Sequence, residues 1–94
     1  MAEKKAKFSR EYRVFLELLR AERKAAGLTQ ATLAKKLKMK QDVVSKCERG
    51  ERRVDIIEAR RFCSAFGVEF GTFVSKLDAA IEQAAASRKS ATRD

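Results

Sequence analysis

Four polar side chains fall within six residues of one another: Gln41, Asp42, Ser45 and Lys46. On a helix beginning at Gln41, positions i, i+1, i+4 and i+5 share one face, turned away from Val44 and Cys47. That face offers an amide, a carboxylate, a hydroxyl and an ammonium, flanked by Lys40, Arg49, Arg52 and Arg53. Such a set suits non-covalent recognition of a polar, anionic partner. Bond-breaking chemistry has little to work with, because the 94 residues include no His and only two Cys, and no nucleophile can be placed beside a base. Cys47 and Cys63 match neither a metal-knuckle spacing nor a secreted disulfide framework. The reading is therefore of reduced thiols, with no enzyme activity, no metal and no cofactor.

Charge points the same way. Twenty-two Lys and Arg against 13 Asp and Glu give a formal net charge of +9, a field that attracts polyanions. Nucleic acid is the commonest of these, while an acidic protein surface or anionic lipid would answer the same field. No run of about 20 apolar residues is present, and no apolar signal core follows the basic start, so the expectation is a cytoplasmic protein with no membrane association. The length suits one compact domain.

The elements that would position these groups are all helical. Pro is absent and Gly occurs only four times, so each glycine carries weight as a boundary. Residues 1–8 and 87–94 are polar, basic and aperiodic, which reads as a flexible arm and a flexible tail around a domain over 9–86. Ser9 is a fitting N-cap for a first helix running toward Ala26 and Gly27, with Tyr12, Phe15, Leu16 and Leu19 as its apolar stripe. One turn further, that stripe buries Arg23, whose guanidinium needs a partner.

Thr29 caps a short helix over Gln30 to Leu37, with Leu33, Ala34 and Leu37 inward. A turn at Lys38 to Lys40 leads to a third helix over Gln41 to Arg49, in which Val44, Cys47 and Glu48 face inward. Glu48 is the acid placed to meet Arg23. Asp55 caps a fourth helix with Ile56, Ala59, Phe62, Cys63 and Phe66 inward, closed by Gly67. A fifth, from Phe70 to about Ala86, repeats Phe70, Phe73, Val74, Leu77 and Ile81 at helical spacing.

Two short helices joined by a tight turn in a basic, all-helical domain describe a helix-turn-helix. The run from Gly27 to Gly50, GLTQATLAKKLKMKQDVVSKCERG, resembles the Cro/C1-type (XRE) family of DNA-binding regulators, and the likeness extends through ERRVDIIEARRFCSAFGVEF to about Val74. Leu28-Thr29-Gln30 opening the second helix, the Leu33-Ala34 pair, Val44, and Glu48-Arg49-Gly50 closing the third helix carry it. The resemblance implies an all-α, five-helix lambda-repressor-like domain whose third helix enters the major groove of double-stranded DNA. The sequence departs from the family in the turn. Lys38 stands where Gly is common, Lys40 replaces the usual Ser or Thr cap, and Val54 stands where Pro is common.

The resemblance also implies roles. Gln30, at the start of the second helix, would clamp a phosphate, helped by the helix dipole. Gln41 takes the first base-reading position, where an amide can pair bidentately with adenine N6 and N7. Asp42 either accepts from cytosine N4 or simply complements the helix N-terminus, and Lys46 reaches guanine or a phosphate. Ser45 can read most bases weakly, and Val43 touches a thymine methyl or covers the seam between the two helices. Lys40, Arg49, Arg52 and Arg53 would hold the sugar-phosphate backbone, while Arg23 and Glu48 form a structural ion pair. Cys47 sits where a larger apolar residue is usual, either as a redox switch or as an inert buried thiol. A single short helix reads few bases, which implies a homodimer, with the helix after Phe70 as its surface. Within the resemblance stand a repressor or activator, an antitoxin and a restriction-modification controller; a protein-bridging coactivator is the alternative of another class.

Overall fold

The computed structural model of the chain describes residues 8–93, with side chains as far as 87. Five helices follow one another, with no strand among the described residues: α1 Arg10–Ala25, α2 Gln30–Leu37, α3 Gln41–Glu48, α4 Ile56–Phe66 and α5 Phe70–Arg93. The all-α, five-helix expectation holds. Three starts are set by side-chain caps at the expected residues. Ser9 Oγ accepts from the Tyr12 N–H at 3.0 Å. Thr29 and Thr32 exchange side-chain and backbone hydrogen bonds across the first turn of α2, as do Asp55 and Glu58 across that of α4. Each reciprocal pair satisfies two amide donors that a helix start otherwise leaves without partners.

α1 packs against α3, α4 and α5; α2 lies against α3 and α4. Leu19, Leu33, Val44, Cys47, Phe62, Cys63 and Phe73 are the centre of the core, each almost fully buried. Three expectations need correction. Ile56, expected inward, is 68 % exposed, because the apolar stripe of α4 outruns the helices it packs against and burial begins only at Ala59. Val74 is 44 % exposed: Phe73 takes the core-facing position of that turn, and one further residue rotates about 100° away from it. Finally, α5 does not end near Ala86 but continues to Arg93. Alanines from Ala79 onward favour helix, and no Gly or Pro stops it. The arm expected over residues 1–8 lies outside the described residues except for Phe8.

Between α2 and α3 the chain turns on Lys38, which adopts the left-handed conformation with φ 57° and ψ 46°. There the Met39 N–H donates to Ala34 O at 2.9 Å and closes the helix end. A Cβ in this conformation costs about 1–2 kcal/mol per residue. Lys38→Gly is therefore expected to stabilise the domain by about 0.5–1 kcal/mol after the entropy of glycine is subtracted, read as a higher urea midpoint at unchanged slope.

Candidate nucleic-acid interface

The pair α2 and α3 is held together at both ends. At one end stands the Lys38 turn. At the other, the buried Glu48 carboxylate accepts from Arg23 Nε at 2.6 Å, from Arg23 Nη2 at 3.1 Å and from Gln30 Nε2 at 2.9 Å. Arg23 also donates from Nη1 to Leu28 O at 2.9 Å, and the Arg20 guanidinium stands 3.9 Å from Glu48 Oε1. Burial alone would raise the pKa of Glu48, but the hydrogen bonds from Arg23 and Gln30 and the charges of Arg23 and Arg20 outweigh it and hold the group below its ordinary value. One anion thus ties together the last turn of α1, the start of α2 and the end of α3.

On the outer side of α3, Gln41, Asp42 and Lys46 are exposed and Ser45 is half-buried. Asp42 and Lys46 form an exposed pair at 3.4 Å, and Ser45 Oγ accepts from Arg49 Nη1. No side-chain hydrogen bond of Gln41 occurs among the described residues. Lys40 precedes the helix at its N-cap, exposed and making no capping bond. Val43 is partly buried against the core, which leaves it covering the seam.

The basic residues past α3 are braced rather than loose. Arg49 holds Glu51 through Nε at 3.0 Å and Nη2 at 3.1 Å, which raises its pKa further. Arg52 grips Glu58 through Nη1 at 3.2 Å and Nη2 at 2.9 Å, and Nη1 also points at Cys47 Sγ at 3.4 Å. Those hydrogen bonds hold Glu58 below the ordinary carboxylate range. Arg53 lies with its guanidinium 4.7 Å from the centre of the Tyr12 ring. Burial pushes the Cys47 thiol up despite Arg52, and pushes Cys63 up to about 11, so both stay protonated and poorly nucleophilic at neutral pH.

A sequence model of the Helix-turn-helix family matches residues 19–73. Among solved structures, an XRE-family like protein from Pseudomonas syringae pv. tomato str. DC3000 is 45% identical, covering 73% of this chain and 84% of its own, with a TM-score of 0.70. The chain belongs to the XRE family of helix-turn-helix proteins. No curated protein sequence matches it. As an XRE-family protein it is a DNA-binding transcription regulator, and double-stranded DNA is the partner of its helix-turn-helix. Among the described residues, no helix is long and apolar enough to cross a membrane.

Within this XRE domain, the residues singled out in the sequence fall into three groups. Gln41, Asp42, Ser45, Lys46, Lys40 and Arg49 lie on α3 or at its two ends. Gln30, Arg23 and Glu48 share the buried network behind it, while Arg52 and Arg53 follow in the loop. Gln30 gives one of its amide hydrogens to Glu48 at 2.9 Å from the first turn of α2. Several contributors escaped the sequence reading. Tyr12 Oη accepts from the Val54 N–H at 2.9 Å, and Lys76 Nζ donates to the buried Glu22 at 2.7 Å, tying α5 to α1. Phe8 carries the Arg13 guanidinium 5.6 Å from its ring, in the position of a helix staple. A phenol on an apolar stripe, whose hydroxyl needs a hydrogen-bond partner, and an aromatic residue just before a Ser cap, were the available signals.

Proposed function

We propose that this regulator is a repressor that binds an operator as a homodimer, reading base edges in the major groove with α3. The outward face of Gln41, Asp42, Ser45 and Lys46, on a helix locked from behind by the Glu48 network, is the observation that carries the reading. Gln41 and Ser45 supply hydrogen bonds to bases, Asp42 and Lys46 exchange their mutual pair for contacts with DNA, and Gln30, Lys40, Arg49, Arg52 and Arg53 hold phosphates. In Arg49 and Arg52 the existing ion pairs set the side-chain directions and must be shared or released. Selection of preferred sites from a random duplex pool at physiological salt tests the reading. Enrichment of a two-fold motif with half-sites about 10 base pairs apart is expected. Binding without sequence preference would overturn it and favour a protein-bridging role.

A homodimer is supported by a groove of about 470 Å³ between α1 and the distal half of α5, with Val14, Ile81, Ala84 and Ala85 in its wall. Its rim sets Arg10 and Arg13 against Glu11 and Glu17, so two copies of net charge +9 would meet where the local charge cancels. Ile81→Glu is expected to shift the protein to a monomer in sedimentation equilibrium and to lower affinity for a full operator at least about tenfold, with affinity for an isolated half-site unchanged.

A further inference from the structure

Tyr12, in the first turn of α1, reaches the loop that follows the reading helix and holds it at two points. Its hydroxyl accepts the Val54 N–H at 2.9 Å, and its ring carries the Arg53 guanidinium at 4.7 Å. The ring is itself packed against two others. Phe8 lies 5.5 Å away at 52° and fills the space that a Cβ on Gly50 would take, while Gly50 turns with φ +79°. Phe15 lies 5.2 Å from the Tyr12 ring and leads on to the buried Phe73 at 6.1 Å. A chain of aromatic contacts thus runs from the core to the loop over residues 50–54.

We propose that Tyr12 is a positioning residue for DNA binding, holding Arg53 and the adjoining backbone in the form that meets a phosphate. The inference rests on the DNA reading above and extends it to the start of α1. A guanidinium resting over a ring is held by the negative face of the ring, and the contact leaves its planar fork of N–H donors, the group that meets a phosphate bidentately, intact. The Tyr12 hydroxyl holds the next peptide by accepting its Val54 N–H. A donor placed in advance loses less conformational freedom on binding than a mobile one. The same brace would make the first turn of α1 part of the affinity without any contact to DNA.

The test is a double-mutant cycle of Tyr12→Leu and Arg53→Gln on one duplex selected by the wild type, with active protein counted by stoichiometric titration. Arg53→Gln is expected to reduce the salt slope by about 0.9, the loss of one phosphate contact. Tyr12→Leu is expected to weaken binding about two- to fivefold, the worth of an exposed cation–π contact, and to lower the salt slope with it. The double variant should bind no more weakly than Arg53→Gln alone. If Tyr12→Leu is unfolded by circular dichroism, Tyr12→Phe takes its place, with a smaller loss and the same non-additivity. Effects that multiply, or a Tyr12 variant with an unchanged slope, would overturn the proposal. Wild-type protein that binds no duplex would instead overturn the DNA reading and the proposal with it.

Discussion

Replacing Glu48 with alanine is expected to cost about 3–5 kcal/mol of folding stability, enough to unfold much of a domain whose total lies in the range of about 5–15 kcal/mol. The side chain is 4 % exposed and accepts from both Arg23 and Gln30, so its removal leaves the buried Arg23 guanidinium without its counter-charge and the half-buried Gln30 amide without its acceptor. The same reasoning gives an opposite outcome when both charges go together. A double replacement, Arg23→Met with Glu48→Leu, removes the desolvated ions as well as their attraction and should be far milder than the single change. Urea denaturation of the three proteins measures this, and a double variant as unstable as Glu48→Ala would contradict it.

Acid offers an independent check. The Glu48 carboxyl lies below its ordinary 4.5 in the folded protein, so the unfolded chain takes up the proton first as pH falls. Its contribution is complete above about pH 4.5 and is lost as pH drops through the folded value. Glu58, held down by Arg52, adds in the same direction. The double variant should accordingly lose less stability than the wild type between neutral pH and pH 3.

Gln41→Ala is expected to change the preferred base pair at one position of each half-site and to cost about 1–3 kcal/mol on the best wild-type sequence. Gln41 comes ahead of its neighbours for a physical reason. Asp42 and Lys46 neutralise one another and Ser45 is already bonded by Arg49, whereas the exposed Gln41 amide has no such commitment among the described residues. Lys40→Ala makes the contrast. It should weaken binding to all duplexes alike and reduce the salt slope by about 0.9, with the preferred sequence unchanged. Arg52 is the poorer control, since its loss would also release Glu58 and the cap of α4. Selection experiments on both variants, with dissociation constants measured across salt, separate the roles, and identical behaviour would refute the division.

Much of this geometry was legible because local chemistry and tertiary demand agree. Thr29, Asp55 and Ser9 are caps on any helix that starts after them, and an Arg on an apolar stripe has to be answered by an acid elsewhere on an inward face. The turn at Lys38 was readable as a strained position for the same reason. What periodicity cannot report is where a stripe runs out of partners. Ile56 continues the inward pattern of α4 yet faces solvent, since burial depends on the length of the neighbouring helices, while Val74 is turned about 100° from Phe73, which takes the core position on α5. The end of α5 is hidden because a polar, aperiodic stretch looks alike in sequence whether a helix frays or continues, while its alanines sustain the helix to Arg93. The Tyr12 contact with Val54 spans 42 residues and carries no periodic signal at all.

The closure of α2 and α3 at both ends has a consequence for the DNA. Gln30 is joined to Glu48 at one end and a closed turn, in which Met39 bonds back to Ala34, joins the two helices at the other, so relative motion of α2 and α3 is opposed at both ends. A duplex whose groove width or twist departs from what this fixed unit offers must itself bend or twist to fit, at an energy set by the stiffness of its base steps. Base pairs that no side chain touches then enter the preference of the protein through their flexibility.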